Sequence, residues 1–314
     1  MIRTAFTRMF DLDYPIMLAP MAFASGGELA AAVSNEGGLG MVGGGYCDPV
    51  WLNKELAVVK AKCRRKWGVG LITWKATDEA VDLALSFQPD VFFLSFGDPG
   101  RFSKRILSTG CTLVCQVQDT DGAKQALDAD AALLIAQGTE AGGHGASRAT
   151  LPLVPAVIDV AGGVPVLAAG GIADGRGVAA ALGLGAAGAV IGTRFCATDE
   201  SLLHPSAKQR LVEARGGDTV RTHVFDEVRG YAWPAGFDGR ALRNRFSQSW
   251  EGKNARQAEG EYQAAASAGN FDTAVVWAGE GVDLVTKVEP AAAVLRAIGV
   301  DAEARVRDLQ NLIA

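Results

Sequence analysis

The sequence predicts an α/β protein, a (β/α)8 TIM barrel with a smaller, mostly helical cap inserted after strand eight. Three observations lead to this prediction. Short apolar segments alternate with segments of helical periodicity up to residue 195, glycines cluster where the apolar segments end, and the alternation stops after Phe195. A doubly wound open sheet shows the same alternation and is the alternative, because strand count alone does not prove closure.

The composition bounds the class of protein. The chain has 314 residues, enough for two ordinary domains or for one large barrel with an appendage. Its 49% hydrophobic and 21% charged residues are typical of a soluble globular protein with a sizeable core. The formal net charge of −5 argues against nucleic acid as a main partner, since such a partner favours a basic surface.

Cysteine usage and hydropathy indicate in which cellular compartment we expect the protein. The five cysteines form no C-x-x-C pair and their number is odd, which favours reduced thiols in a cytoplasmic protein over a disulfide framework. Residues 1–10 contain no sustained apolar region, so no signal peptide is predicted. The longest apolar region, residues 151–172, is interrupted by prolines, by Asp159 and by glycine pairs. We therefore expect no membrane span and no membrane partner.

The first half of the barrel is predicted from four apolar segments. Residues 15–21 form strand one, and Ser25 and Glu28 have the spacing of a capping box that begins a helix ending at Gly37. Strands two, three and four are predicted at residues 39–42, 67–72 and 91–96. Helices are predicted at residues 49–65 and 77–87 and through Phe102 and Ile106.

The second half completes the barrel and adds the cap. Strands five to eight are predicted at residues 112–117, 131–137, 165–169 and 187–192, with helices at residues 121–127 and 199–215. Residues 219–283 carry tryptophans, tyrosines and many arginines without a clear strand, and residues 285–314 return to helical spacing. We assign residues 1–215 and 285–314 to the barrel and residues 216–284 to a cap over its mouth.

Strand six leads into a glycine-rich segment, residues 138–145, that carries one of the three histidines of the chain, His144. Glycines permit positive φ and close approach to a ligand. A histidine on such a loop at a strand end suits acid–base chemistry. The alternative is an ordinary connection with an incidental histidine.

The ends of strands seven and eight carry the features of a phosphate site. In a barrel, the loops after these two strands commonly bind phosphate. Gly170 and Gly171 follow strand seven, and Gly192, Thr193 and Arg194 follow strand eight. The glycines leave backbone N–H groups accessible to an anion, Thr193 adds a hydroxyl, and Arg194 adds a charge unless it forms a surface ion pair.

The neighbouring residues favour a flat cofactor over a sugar phosphate, because few hydroxyl-binding groups are present. Asp174 is expected to cap the helix after strand seven. The chain has no G-x-G-x-x-G after a first strand, no metal-ligand spacing and no G-x-S-x-G motif. We therefore predict neither a Rossmann site nor a metal.

Four segments together resemble one known family. Residues 15–17, 137–144, 169–176 and 191–195 are similar to the nitronate monooxygenases, formerly called 2-nitropropane dioxygenases. The resemblance covers about residues 10–200, and residues 277–282 resemble the C-terminal glycine turn of the family. It implies an FMN-containing barrel that oxidises nitronates with O₂ to a carbonyl compound and nitrite. Related proteins are FMN-dependent enoyl-acyl-carrier-protein reductases and NADH:quinone reductases.

The resemblance also implies individual roles. His144 matches the active-site histidine of the family. Gly70 stands where many members have an asparagine, and Gln116 where some have a lysine near the flavin N1, which puts redox tuning and substrate choice in question. The residues implied to contact FMN are Ala19, Pro20, Met21, Gly70, Gln116 and Gln137 at the ring, Ala169, Gly170, Gly171, Gly192 and Thr193 at the phosphate side, and Gly142 and Gly143 beside the cofactor.

Three functions are compatible with these features. The first is a flavoenzyme that oxidises nitronates or nitroalkanes, in which His144 removes the α-proton or holds the nitro oxygens as imidazolium. The second is an NAD(P)H-linked flavin reductase of enoyl thioesters or quinones, and the third is a flavin-binding protein without turnover. The expected partners are a small-molecule substrate and O₂, with a second copy of the chain in a homodimer as a further candidate. The arginines of the cap form either a solvated face or an anion site: Arg221, Arg229, Arg240, Arg243 and Arg245.

Overall fold

A parallel eight-stranded barrel forms the centre of the computed structural model, which describes residues 1–312. Its strands are β1 (Ile16–Leu18), β2 (Gly40–Gly43), β3 (Trp67–Ile72), β4 (Val91–Ser95), β5 (Thr112–Val117), β6 (Leu133–Gln137), β8 (Val166–Ala169) and β9 (Gly188–Ile191). A further short strand, β7 (Gly143–Gly145), follows β6 and belongs to a second sheet.

The barrel closes between β1 and the residue before β2. Leu18 N donates to Leu39 O at 2.9 Å, and Leu39 N donates to Ile16 O at 3.0 Å. The other strands follow in the order β1-β9-β8-β6-β5-β4-β3-β2, so every barrel strand has a partner on both sides. The predicted (β/α)8 barrel is confirmed, and the open doubly wound sheet is excluded.

Helices surround the barrel and extend the chain beyond it. They are α1 (Ala5–Phe10), α2 (Gly27–Asn35), α3 (Pro49–Lys62), α4 (Asp78–Ser86), α5 (Gly100–Ser108), α6 (Thr120–Asp128), α7 (Thr150–Val160), α8 (Gly175–Gly183), α9 (Thr193–Cys196), α10 (Pro205–Glu213), α11 (Val224–Arg229), α12 (Arg245–Trp250), α13 (Glu259–Ser267) and α14 (Ala291–Gln310). No helix among residues 1–312 combines the length and apolarity needed to cross a bilayer.

The strands are apolar on both faces because both faces are buried. Val114 of β5 and Leu133 of β6 belong to the cluster inside the barrel. Their neighbour Leu113 packs outward against the helices. From α1, Phe6 and Phe10 join the inner cluster, and Phe6 lies against Gly188, the first residue of β9. Helix α1 therefore closes the N-terminal end of the barrel and leaves the C-terminal end of the strands for the site.

Two predicted helix caps had different outcomes. Asp174 caps α8, accepting hydrogen bonds from the backbone N of Arg176 and Gly177. The capping box predicted for Ser25 is wrong, because the Ser25 hydroxyl accepts from Met21 N at 2.6 Å instead.

A backbone N–H group at the N-terminus of α2 is hydrogen-bonded by a side chain from another helix. Gly26 is its N-cap and makes no side-chain bond. A buried carboxylate on α3, Glu55, accepts from Gly27 N at 2.9 Å. This long-range cap has no local sequence signature.

The region after α10 contains strands as well as helices. Strands β10 (Thr219–Thr222) and β11 (Asp238–Leu242) form an antiparallel sheet with β7, so the expectation of no strand in residues 219–283 is wrong. These strands are short and contain arginines, and β7 lies far away in the sequence, so no apolar alternation announces the sheet. Helices still predominate, and the domain division at residues 216 and 284 stays a prediction.

Candidate active site

A cavity lies at the C-terminal ends of the barrel strands, where the active sites of this fold are found. Every residue to which the family resemblance assigns a role lines it: Ala19, Pro20, Met21, Gly70, Gln116, Gln137, Gly142, Gly143, His144, Ala169, Gly170, Gly171, Gly192 and Thr193. Residues from the cap also line it, including Arg229, Trp233 and Trp277. Among residues 1–312, no group of His, Cys, Asp or Glu is arranged to hold a metal ion.

One end of the cavity is a cradle of backbone N–H groups. Gly170 and Gly171 have φ of 114° and 70°, a left-handed conformation that favours glycine. Among residues 1–312, the N–H groups of Gly170, Gly171 and Gly192 donate to no protein acceptor. The Thr193 hydroxyl accepts from Gly279 N at 3.0 Å, which leaves its proton free for a ligand. This set of donors fits a phosphate group.

Arg194 does not contribute to that cradle. It is buried, and its guanidinium pairs with the Glu289 carboxylate at 2.7 Å and donates to Ala197 O and Lys287 O. The interpretation as a charge on the phosphate is therefore wrong. The ion pair is formed, but its arginine is buried and does not lie at the surface. The arginine joins the segment before α14 to the end of β9.

The loop that carries His144 is held from three sides. His144 pairs with Gly239 of β11 within the small sheet. The Gln137 amide donates to His144 O at 3.0 Å and accepts from Gln118 Nε2 at 2.9 Å. Arg240 Nε donates to Thr139 O at 2.9 Å. The histidine is consequently presented by a short strand and not by a free loop.

Asp226 of α11 and Trp233 determine the surroundings of the His144 ring. His144 Nε2 lies 2.8 Å from Asp226 Oδ2, and the two side chains are only 8% and 3% exposed. Asp226 also pairs with Arg229 at 3.0 Å. The Trp233 ring stacks on the imidazole with centroids 3.5 Å apart and planes 7° apart. Sequence reasoning missed Asp226 because it belongs to a cap that carries no recognised motif, and it considered Trp233 only as one of several cap aromatics that form core or line a pocket.

The environment favours the neutral imidazole. Burial lowers the pKa of His144, and the hydrogen bond and charge of Asp226 offset only part of that shift. Arg229 and Arg221 lower this pKa further. Of the two roles predicted for His144, the proton acceptor is therefore favoured over the imidazolium that holds oxygens.

Gly70 and Gln116, where the chain departs from the family pattern, have distinct surroundings. A Cβ on Gly70 would lie 2.4 Å from Pro20 Cβ, so the proline occupies the space that a side chain would need. Gln116 lines the cavity, and its amide has no hydrogen-bond partner among residues 1–312. It is therefore available to a ligand as a neutral donor and acceptor.

Aromatic rings from the barrel and from the cap meet at the cavity wall. Tyr46, in the loop after β2, stacks on Tyr231 with centroids 3.8 Å apart. The Trp233 indole N–H donates to Tyr46 Oη at 3.2 Å, and Phe96 lies edge-on against the same indole. Cap and barrel thus contact each other through these rings beside the cavity.

The arginines of the cap divide into two groups. Arg221, Arg229 and Arg240 are largely buried and bonded to protein partners, so the solvated-face interpretation is wrong for them. Arg243 and Arg245 are exposed, as that interpretation expects. Of the five, only Arg229 lines the cavity.

Comparisons with known proteins agree with this geometry. The nitronate monooxygenase family model matches residues 3–80 and 54–300. A nitronate monooxygenase of Neurospora crassa is 31% identical, over 95% of this chain and 92% of that protein. The structure of FabK from Thermotoga maritima is 31% identical, with a TM-score of 0.89 and complete coverage of both chains.

A third relative has a different name. The (3aS,4S,5R,7aS)-5-hydroxy-7a-methyl-1-oxo-octahydro-1H-indene-4-carboxyl-CoA dehydrogenase of Mycobacterium tuberculosis is 32% identical, over 86% of this chain and 74% of that protein. The family model nevertheless spans the barrel and the cap of this chain. The barrel, the glycine cradle and the match to the family model together lead to one conclusion: the chain belongs to the nitronate monooxygenase family and is a flavin-dependent oxidoreductase.

Proposed function

We propose that this protein binds FMN and oxidises nitronates, and neutral nitroalkanes after proton removal, with O₂ to a carbonyl compound and nitrite. The observation that carries the proposal is the His144 side chain. It lies on the cavity wall as a neutral base, buried against Asp226 and beside residues that suit a flavin. Membership of the family supports the same reaction.

The residues present fit FMN. Gly170, Gly171 and Gly192 would hold its phosphate through backbone N–H groups, and Thr193 through its hydroxyl. The ring would lie against the apolar strand ends, where Gln116 offers a free amide. When bound, the flavin supplies the electron acceptor for the substrate and the reaction with O₂.

The chain itself contributes proton transfer and exclusion of water. The neutral His144 accepts the α-proton of a nitroalkane, which converts it to the nitronate. The aromatic rings of Tyr46, Trp233 and Phe96 line the cavity and contact one another, and their apolar surface disfavours water at the site.

Anaerobic mixing of the holoprotein tests the proposal. A nitronate is expected to bleach the flavin absorbance within the turnover time, and NADH or NADPH to leave it unchanged over the same interval. Rapid bleaching by the nicotinamides with no response to nitronates would contradict the proposed function.

The histidine variant separates the two substrates. We expect His144→Asn to keep FMN and to lose on the order of 100-fold or more in kcat on a neutral nitroalkane, because a general base contributes that much. Its activity on a preformed nitronate should fall less. His223→Asn, which alters an exposed histidine, is the control. Equal activity of His144→Asn on both substrates would rule out proton abstraction.

A second candidate is an NAD(P)H-linked reductase of thioesters. It is favoured by the similarity to a carboxyl-CoA dehydrogenase at 32% identity. The anaerobic experiment distinguishes it, since a reductase of this kind must be reduced by the nicotinamide before it meets its substrate.

A further inference from the structure

A hydrogen bond joins the His144 ring to a carboxylate 82 positions further along the chain. Asp226 lies on α11 in the cap, whereas His144 lies on β7 beside the barrel. The Nε2···Oδ2 distance is 2.8 Å, and Asp226 Oδ1 lies 3.0 Å from the Arg229 guanidinium. Both oxygens of the carboxylate are therefore engaged, one by each partner.

This arrangement determines which ring nitrogen carries the proton. An ionised carboxylate paired with Arg229 has only acceptors to offer. A hydrogen bond between it and Nε2 requires the hydrogen to be on Nε2. A neutral imidazole carries one N–H, so the lone pair is on Nδ1. Among residues 1–312, no donor is bonded to Nδ1, which leaves that lone pair free.

The ring is held in this orientation by its neighbours. Trp233 stacks on one face, and the Trp277 ring centroid lies 5.0 Å away with its plane at an angle of 55°. The charged groups around the ring are Asp226 and Arg229 of α11 and Arg221 of β10. Of these, only Asp226 bonds the imidazole, so it alone selects the tautomer.

We infer that Asp226 is a positioning residue that holds His144 as the Nε2–H tautomer and makes Nδ1 the proton-accepting atom. The inference rests on the proposed function. In the reaction the Cα–H bond of the nitroalkane breaks, an N–H bond forms at Nδ1, and the electron pair of the C–H bond stays with the substrate as the nitronate. The imidazolium then donates from Nε2 to the Asp226 carboxylate, which balances its charge.

A merely structural role for Asp226 has different consequences. An ion pair that only tethers α11 to the barrel would act on every substrate alike, because its loss would change the shape of the site. A residue that selects the tautomer acts on proton transfer alone. A neutral nitroalkane needs that transfer, and a preformed nitronate does not.

The first test uses the unmodified holoprotein. Histidine labelled with ¹⁵N gives signals that report which ring nitrogen is protonated, and the chain has only three histidines. His144→Asn identifies the signals of His144. We expect a proton on Nε2 and none on Nδ1 near neutral pH. A proton on Nδ1, or an even mixture of the two tautomers, would overturn the inference.

The second test compares Asp226→Asn with Glu227→Gln, which removes an exposed carboxylate from the next position of the same helix. The side-chain amide introduced by Asp226→Asn can donate to Nε2 and so favour the opposite tautomer. In the serine proteases, replacing the aspartate that orients the catalytic histidine by asparagine produces the wrong tautomer and lowers kcat by orders of magnitude.

For Asp226→Asn we expect on the order of a 100-fold loss of kcat with a neutral nitroalkane. With a nitronate we expect a change of less than about threefold, at unchanged flavin content. Glu227→Gln should stay within about twofold on both substrates, as surface changes do. An equal loss on both substrates, or no loss on either, would refute the positioning role.

The two tests separate this inference from the function on which it rests. If the wild-type protein does not oxidise nitronates, the proposed function fails, yet the ¹⁵N signals still show whether His144 carries its proton on Nε2, as the bond to Asp226 requires. If Asp226→Asn does not fold or loses flavin, the inference is tested by the tautomer of His144 in the wild-type protein alone.

Discussion

At the scale of single residues, His144 shows how two opposing effects combine. Burial disfavours the charged imidazole, and the nearby carboxylate of Asp226 favours it. Burial has the larger effect, so the pKa of the ring lies below its ordinary value of 6.5. The imidazole is therefore neutral at a pH where an exposed histidine would be partly protonated.

The lowered pKa of His144 predicts how the activity depends on pH. Protonation inactivates the base, so kcat/KM for a neutral nitroalkane falls as the pH drops through the pKa of His144. Because that pKa is lowered, the acid limb should lie below pH 6.5. Initial rates across the acid and neutral range, with a nitronate as the control substrate, check this. An acid limb above the ordinary value would contradict the buried, neutral base.

Gly70 gives a second prediction at this scale. Substituting the asparagine of the family pattern places Cβ 2.4 Å from the Pro20 side chain, so the β1 loop must shift. We expect Gly70→Asn to lose about 1–3 kcal/mol of folding stability and to bind FMN more weakly. Thermal unfolding and flavin titration measure both. Gly260→Ala is the matched control, since nothing lies within 4 Å of its added Cβ and it should be neutral or slightly stabilising.

At the scale of elements, the small sheet is the device that presents the histidine. Strand β7 has only three residues and gains its partners from β11, which lies in the cap. The arginines on β10 and β11 reach back to the carbonyl of Thr139 in the same loop. A glycine-rich segment is thereby held in one conformation.

The anchoring arginines can be tested through Arg240. Arg240→Met removes the bonds to Thr139 O and to the Thr219 hydroxyl and the ion pair with Glu280, so that Arg221 is left as the donor to Thr139 O. We expect a loss of about 1–3 kcal/mol in stability and faster hydrogen exchange in residues 138–145. Arg243→Met changes an exposed arginine of the cap and should alter neither the stability nor the exchange. Unchanged exchange in Arg240→Met would show that the loop does not depend on this arginine.

At the scale of the whole molecule, the cavity joins parts of the chain that are far apart in sequence. The barrel supplies the glycine cradle, the turn at Gly279 bonds Thr193, and the cap supplies Asp226 and Trp233. A ligand that bridges these parts binds only the folded protein and raises its stability by mass action.

The comparison of FMN with riboflavin tests the cradle at this scale. Protein freed of flavin should gain about 2.7 kcal/mol of stability when FMN is present at about 100 times its Kd. Riboflavin lacks the phosphate and should bind at least about 10-fold more weakly, because charge-assisted hydrogen bonds are lost. Thermal unfolding with each flavin and calorimetric Kd values check this. Equal affinities would show that the cradle does not hold the phosphate.

Much of this protein was predictable from local pattern. The apolar segments and the glycines at their ends predict the eight strands, since strands buried on both faces must be apolar throughout. The glycines after predicted strands seven and eight, which are β8 and β9 of the structure, predict the cradle, because barrel topology brings consecutive strand ends together. The position of His144 at the cavity follows in the same way from the end of strand six.

Other features depend on contacts that no local pattern records. Asp226 acts on His144, Arg194 pairs with Glu289 and Glu55 caps α2 only because the folded chain brings distant residues within hydrogen-bond distance. Local periodicity and motif spacing report which element a residue belongs to and which way it faces. The sequence by itself therefore determined the barrel and the place of its site, and the tertiary structure alone decided which charged groups meet there, because such pairing is set by packing across the whole molecule.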